Sequence, residues 1–220
     1  LQVKTFGDSK NSSPLLRAVV DNNIRRMGPI LQPAFEPGHV LRSKITKMSA
    51  DDVLYELRAS ELRGRGGAGF PTGLKWFFCR LADGAKKYVF CNADEGEPGT
   101  FKDRVILTET PESVFEGMAI GGYAIGAEEG ILYLRYEYKY MRNYLEGVLQ
   151  NMRSTNLLGE NICGIKGFNF DIRIQSGAGS YVCGEESALI ESAEGNRGEP
   201  RPRPPFPVEK GYKDFPTVVN

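Results

Sequence analysis

Five glycines crowd the ten residues Gly64–Gly73, and two cations, Arg65 and Lys75, stand within and just after them. Bare backbone amides between cations suit one task above others, the holding of an anion. Leu74, Phe77, Phe78 and Leu81 follow at i, i+3, i+4 and i+7, so the spacing predicts an amphipathic helix beginning just past Gly73. The first amides of a helix lack intrahelical acceptors, and the helix dipole adds partial positive charge there. A glycine-rich turn feeding such an end reads as a phosphate cradle. The plainer alternative is a structural turn between two helices, but a turn needs one or two glycines, not five with flanking cations. Gly64, Gly66 and Gly69 also match G-x-G-x-x-G in form. The standard dinucleotide fingerprint wants a strand before the motif and a helix after it. Here a helix precedes it, and no acidic residue closes a second strand about 20 residues on.

Gly177-Ala178-Gly179-Ser180-Tyr181-Val182-Cys183-Gly184 is a second glycine-rich loop, and Glu185–Glu194 is the helix it feeds. Two such loops imply two phosphate-bearing groups, or one large one held at both ends. Glu185 and Glu186 also suit a helix start with no ligand at all. Tyr88–Cys91 is a short apolar run and a buried strand. It ends in Asn92-Ala93-Asp94-Glu95-Gly96-Glu97-Pro98-Gly99. An acidic turn is ordinarily only solvated. This one follows a buried strand, where ligands of open α/β sheets collect, and Asn92 brings both donor and acceptor atoms. Carboxylates there accept hydrogen bonds from ribose hydroxyls or a ribityl chain. They also disfavour an extra 2′-phosphate, so NAD is preferred over NADP. Phe70 inside the cradle and Phe206 in the stiff stretch Arg203–Pro207 are rings suited to stacking a base, whereas Phe77 reads as core.

The single histidine, His39, lies in a Pro/Gly segment and reads as a surface residue, which disfavours Ser-His-Asp and Cys-His hydrolysis. Cys79, Cys91, Cys163 and Cys183 show no C-x-x-C spacing, so no zinc or iron–sulfur site is written locally. They read as reduced thiols packed as small apolar groups.

The elements that must position these residues fit one sizeable core in 220 residues. Composition is that of a globular protein, 40% apolar and 25% charged, with 28 basic and 28 acidic residues. That balance argues against nucleic acid or an anionic membrane as partner. No apolar run approaches the ~20 residues of a membrane span. The chain starts at Leu1 and shows no signal peptide. Residues 1–48 are expected to form an extended N-terminal arm, with a helix around Leu15–Met27 and breaks at Pro29, Pro33, Pro37 and Gly38. Ser49-Ala50-Asp51-Asp52 starts a helix as a capping box with Asp in place of Glu, burying Val53, Leu54 and Leu57. Thr110-Pro111 starts another, running through Phe115, Met118, Ala119 and Tyr123 to about Gly126. Ile131–Arg135 is a strand. Tyr138–Met152 is a helix burying Met141, Tyr144, Leu145, Val148 and Leu149. Phe168–Ile174 alternates as a strand, and residues 195–207 are irregular. The alternation predicts an α/β fold: a mainly parallel sheet flanked by helices, Rossmann-like but with atypical glycine-rich loops, over residues 49–220.

Four tracts in this order carry a family resemblance: Arg63–Trp76, Cys91–Arg104, Gly177–Glu186 and Arg203–Pro207. Over roughly residues 50–220 the chain resembles the NADH- and FMN-binding flavoprotein subunit shared by respiratory complex I and NAD-reducing hydrogenases. The tracts Tyr133–Tyr138 and Asp171–Gln175 lean towards the diaphorase alpha subunit of an NAD-linked hydrogenase. The resemblance implies FMN contacts at Gly64, Arg65, Gly66, Lys75, Asn92, Asp94, Glu95, Gly96, Tyr181, Gly184, Glu185, Glu186 and Asn220. It implies NADH contacts at Gly67, Phe70, Lys75, Phe78, Glu95, Glu97, Glu185, Glu186, Arg203 and Phe206. The adenine would stack among Phe70, Phe78 and Phe206, with Glu97 and Glu185 near the ribose and nicotinamide. Arg203 stands where the family often has Lys. Hydride would pass between nicotinamide and flavin, with no catalytic acid or base and no metal ligand from this chain. Implied partners are a thioredoxin-like 2Fe–2S subunit of the 24 kDa type and further iron–sulfur subunits, in the cytoplasm or on the cytoplasmic side of a membrane complex. The family continues past Asn220 into a ubiquitin-like segment and a helical domain with a 4Fe–4S cluster. This sequence is therefore expected to be the N-terminal part of a longer polypeptide. The alternatives are the beta subunit of an NAD-linked formate dehydrogenase and a non-catalytic nucleotide-binding assembly fragment.

Overall fold

The structure, a computed structural model, describes residues 36–220 and the backbone of two short strands before them, β1 (Lys4–Thr5) and β2 (Asp21–Asn22), paired antiparallel. The helix expected over Leu15–Met27 meets a strand at Asp21–Asn22 and otherwise lies outside the described residues.

From residue 36 the order is α1 (His39–Ile45), α2 (Ala50–Ala59), α3 (Thr72–Leu81), β3 (Tyr88–Ala93), α4 (Lys102–Glu109), α5 (Pro111–Ile125), β4 (Glu129–Leu134), α6 (Arg142–Ser154), β5 (Asp171–Ser176), α7 (Glu186–Ala193) and β6 (Thr217–Val219). Short 3-10 turns precede α6 and α7, at Tyr136–Met141 and Tyr181–Gly184. The sheet order is β5-β4-β3-β6, with every pairing parallel. Alternate strand residues feed opposite faces. Val89, Ala93, Leu132, Leu134, Ile172, Ile174 and Val218 pack with α1, α3, α5 and α6. Tyr88, Phe90, Ile131, Tyr133 and Val219 pack with Leu189, Ile190 and Ala193 of α7. Burial on both faces is why β3 and β4 are largely apolar, whereas β5, at the edge of the sheet, alternates.

Local signals explain several elements directly. The Ser49 hydroxyl accepts from the Asp52 amide while the Asp52 carboxylate accepts from the Ser49 amide, so the capping box forms with Asp at N3. Pro111 stands in the first turn of α5, and Gly126 ends that helix at φ 80°. The helix expected over Tyr138–Met152 is a 3-10 turn as far as Met141 and α-helical from Arg142, and its expected apolar side is buried in full: Met141 in the turn, and Tyr144, Leu145, Val148 and Leu149 in α6.

Three expectations are corrected. The arm is not extended to residue 48, because His39–Ile45 is helical and Leu41 and Ile45 enter the main core. The amides of Gly38 and Leu41 donate to the carboxylate of Glu116, which is 1% exposed and comes from α5. That tertiary cap is invisible in the local sequence. His39 is exposed, at the start of this helix. The strand expected over Phe168–Ile174 begins instead at Asp171. Finally, α3 presents a different face from the one its period suggests. Phe78 and Leu81 are exposed, and the buried positions are Thr72, Gly73 and Cys79.

Gly73 shows why that face was chosen. A Cβ at Gly73 would lie 2.8 Å from the backbone nitrogen of Arg58 and 2.7 Å from its Cγ, so this glycine lets α3 press against α2 rather than serving a ligand. Gly73→Ala is expected to cost about 1–3 kcal/mol through overpacking, which exceeds the ~1 kcal/mol helix-propensity gain over most of that range and leaves a net loss of up to about 2 kcal/mol. A thermal melt checks this: a net loss of 1 kcal/mol lowers Tm by roughly 2–4 °C in a chain of this size, and a raised Tm would refute the close-packing account.

β3, β4 and β5 step one way across the sheet, and β6 returns to flank β3 on the other side. The strand order therefore reverses between β3 and β6. In open α/β sheets the crevice outside the carboxyl ends at such a reversal is where ligands bind. Among the described residues, no helix is long and apolar enough to cross a membrane.

Candidate functional site

The first glycine loop is a narrow hairpin-like excursion between α2 and α3. Arg63 pairs with Pro71 as an antiparallel bridge, the Gly64 amide donates to Phe70 O at 3.0 Å, and the Thr72 amide donates to Leu62 O at 2.9 Å. The Arg63 guanidinium donates to Gly69 O at 3.2 Å and steadies the tip. Gly67 (φ 120°) and Gly69 (φ 62°) hold conformations that side-chain-bearing residues avoid. Gly66 does not, and a Cβ there would meet nothing within 4 Å. Neither packing nor backbone conformation asks for glycine at 66, which leaves open space over the loop. The helix begins at Thr72, so the loop delivers its amides at the entrance to α3.

The reversal point of the sheet is stitched by side chains from four segments. Asn92, near the end of β3, donates through Nδ2 to Gly184 O at 2.9 Å and accepts from the Asp94 amide at 3.2 Å. Its own amide donates to Asn220 O at 2.7 Å, just past β6. Trp76 Nε1 donates to Asn220 Oδ1 at 3.0 Å. Lys75 Nζ donates to Glu186 Oε2 at 3.0 Å and to Val219 O at 2.9 Å. Lys75, Asn92, Gly184, Glu186 and Asn220, far apart in sequence, thus meet at the carboxyl end of the sheet.

The second loop ends in α7, whose N-cap is Glu185. Oε2 of Glu185 accepts from the Ser187 and Ala188 amides, each at 3.0 Å, and Oε1 pairs with Arg203. Glu186 lies 3.5 Å from the same guanidinium. The Arg203–Pro207 stretch is therefore tied to the head of α7. Arg201 anchors its base through Glu191 (2.5 Å), Glu194 (2.7 Å) and Gly211 O (2.8 Å).

The acidic turn divides its carboxylates. Glu95 turns inward, 5% exposed, and accepts from the Asp103 amide (2.9 Å), the Arg104 amide (3.2 Å) and the Tyr138 hydroxyl (2.9 Å). It caps α4, so its carboxylate is held in place by protein donors. Glu97 is exposed and accepts from the Tyr181 hydroxyl at 2.6 Å, a bond that spans the two loops. Gly96 makes room for that ring, since a Cβ there would sit 3.3 Å from it.

Asp94 is the anomaly. Its Oδ2 is buried and has no hydrogen-bond partner, alone in this among the buried side-chain atoms of the described residues. Burial pushes the carboxyl up to about 6, against the pull of Arg135. An unpaired buried polar atom costs roughly 1–3 kcal/mol, and a ligand hydroxyl placed there would relieve it. FMN carries a phosphate for amides and cations and a polyol chain for acceptors. The open position at Gly66, the cation Lys75 and the orphaned Asp94 oxygen supply the chemistry that the two ends of such a molecule ask for.

Phe70, Phe78 and Phe206 are all more than 40% exposed, so none of them is needed by the core. Phe77 is half-buried beneath the Arg58 guanidinium, 5.3 Å from the ring centre. Sequence reasoning did not single out Trp76, Arg135 or Arg201 as site residues. Arg135 follows a recognised strand, so its place at the carboxyl end of β4 was within reach of the strand-end rule; Arg201 lay in a segment with no periodic signal.

The family model described as the Nuo51 FMN-binding domain matches residues 57–220. The NAD-reducing hydrogenase HoxS subunit alpha of Cupriavidus necator is 56% identical over 203 residues, which cover 92% of this chain and 34% of that protein. An NADH-quinone oxidoreductase subunit of Rhizobium meliloti is 48% identical over 180 residues, covering 82% and 42%. In the crystal structure of an NAD+-reducing NiFe-hydrogenase in the H2-reduced state, one chain superposes with a TM-score of 0.76 at 49% identity, covering 84% of this chain and 31% of that one. The chain spans about a third to two-fifths of the length of these relatives. The parallel sheet, the two loops at its reversal point and this extent of sequence identity agree: the chain belongs to the Nuo51 FMN-binding domain family of complex I and NAD-reducing hydrogenase flavoproteins.

Proposed function

We propose that this chain is the FMN- and NAD(H)-binding part of an NADH dehydrogenase, or diaphorase, module serving an NAD-reducing hydrogenase or a complex I-type assembly. The observation that carries the reading is the unpaired, buried Asp94 Oδ2 beside the sheet reversal and its open glycine loop. The chemistry supplied by the flavin is hydride exchange with the nicotinamide and release of the two electrons one at a time. The protein's part is to bind and orient. Amides of Gly64–Gly67 with Arg65 and Lys75 take phosphate. Asn92 and Asp94 take polyol hydroxyls, and the Gly96, Tyr181, Gly184 and Asn220 segments close the crevice around them. Phe70, Phe78 and Phe206 offer faces to the adenine, Glu97 and Glu185 face the ribose, and Arg203 meets the dinucleotide's charge. No side chain is required to move a proton in the hydride step.

The partners are iron–sulfur subunits, among them a thioredoxin-like 2Fe–2S subunit of the 24 kDa type. A reducing compartment, the cytoplasm, suits the four free cysteines. The working domain is residues 49–220 with α1 added to its core. No observation favours a formate dehydrogenase beta subunit or an assembly fragment over this reading.

The test is anaerobic: protein, FMN and NADH are mixed and the visible flavin absorbance is followed. Bound flavin is expected to bleach with NADH and far more slowly with NADPH. Flavin that binds and stays oxidised, or NADH that binds with equal affinity when FMN is absent, would overturn the proposal.

A further inference from the structure

Arg135 sits just past β4. In the parallel register Ala93 faces Leu134, so Arg135 falls opposite Asp94. Its amide donates to Ala93 O at 3.0 Å, one step beyond the ladder. Its guanidinium then reaches over the acidic turn. Nη1 donates to the Glu95 carbonyl, while Nε and Nη2 donate to the Glu137 carboxylate at 2.9 and 3.3 Å. The group lies 5.6 Å from the centre of the Tyr138 ring, and the Tyr138 hydroxyl holds the Glu95 carboxylate from the other side. The turn is thereby gripped at both its backbone and its side chain. Asp94, between β3 and that grip, keeps one oxygen buried and unpaired. The charged groups acting on it are Arg135, which favours its ionised form, and Glu137, which opposes it. The other elements packed against it bring Asn92 to its amide, and the Gly184 backbone lies close to its carbonyl.

We propose that Arg135 is a positioning residue for the cofactor-facing turn: its grip on the Glu95 carbonyl sets the backbone from Asp94 to Glu97, and its charge keeps the Asp94 carboxylate ready to accept a hydrogen bond from the polyol of the flavin. The inference rests on the FMN reading above. A purely structural staple would hold the turn equally well at every pH. An electrostatic role would not, because neutral Asp94 offers a weaker acceptor. With burial holding the carboxyl up near 6, FMN affinity falls as pH drops through that value.

The experiment is a titration of FMN fluorescence quenching at a series of pH values, with a thermal melt of each variant. In Arg135→Gln the pH at which affinity falls is expected to rise by about one unit, so that affinity drops about twofold at neutral pH and by up to about tenfold in mild acid, and recovers in mild base. Arg135→Lys restores the charge and the parent curve. Glu137→Gln leaves the arginine in place, removes the opposing charge, and is expected to move the curve the other way, to lower pH. Asp94→Asn flattens it. Curves that keep the parent midpoint in both Arg135→Gln and Glu137→Gln, whatever the absolute affinity, would overturn the proposal. Failure of the parent protein to bind FMN at all would instead overturn the functional reading beneath it. Should Arg135→Gln fail to fold, the direction of the Glu137→Gln shift decides alone.

Discussion

Gly66→Val is expected to abolish FMN binding while leaving the melting temperature of the flavin-free protein unchanged. The protein side of the argument is that nothing lies within 4 Å of the added Cβ, and the backbone is outside the left-handed region. The residue is exposed, on a loop closed by its own hydrogen bonds at Gly64 and Thr72. Such surface substitutions usually change stability by no more than about 0.5 kcal/mol. The ligand side is the opposite. The branched side chain fills the space over the loop where, on the FMN reading proposed above, phosphate meets bare amides, and a loss of at least 100-fold in affinity, about 2.7 kcal/mol, is expected. Gly67→Val separates the two effects: at φ 120° it strains the loop itself and should lower the melting temperature even without flavin. Flavin titration and thermal melts on both variants supply the readings. Undiminished FMN affinity in Gly66→Val would place the cofactor away from this loop.

The sequence made the site's glycines legible because their signal is compositional, and it made β3, α5 and α6 legible because their caps and periods are local. Ser49, Pro111 and Gly126 each mark a helix end within a residue or two of where it falls. Where the deciding contact is remote, the reading failed. α1 depends on Glu116, 78 residues from Gly38, and α4 is capped by Glu95 across a turn, so neither announced itself. The face of α3 was misassigned because its period was read from Phe78 and Leu81, whereas the backbone of Arg58 selects Gly73. Asp94 and Glu95 make the same point at the site. Adjacent in sequence and alike in charge, they point apart at the end of a strand. One is left with an unpaired oxygen, and the other is saturated by a helix end and a tyrosine. Charge patterning cannot separate two such neighbours; only the turn's tertiary partners do.

Glu185→Gln is expected to admit NADPH. In the parent, Glu185 does two things at once: one carboxylate oxygen caps α7 at the Ser187 and Ala188 amides, and the other pairs with Arg203. The amide oxygen of glutamine can still accept from those amides, so the helix start is retained and little stability is lost. The ion pair is not retained, since the amide nitrogen and the guanidinium are both donors. Two changes then favour a 2′-phosphate, which carries between one and two negative charges at neutral pH. The carboxylate proposed to face the ribose has gone, and Arg203 has lost its main partner, keeping the carboxylate of Glu186 at 3.5 Å. A unit charge pair about 6 Å apart is worth ~3 kcal/mol at an effective dielectric of about 20, and screening at this half-exposed position reduces that. A ten- to hundredfold rise in the NADPH-to-NADH ratio of kcat/KM is therefore expected, shrinking as salt is raised. Adding Arg203→Ala to Glu185→Gln should remove most of the gain, because the freed cation accounts for the larger part of it. A ratio that stays at the parent value in the single variant would mean that Glu185 does not face the 2′ position. A gain that survives the loss of Arg203 would assign the discrimination to repulsion by the carboxylates alone, with Glu97 as the remaining contributor.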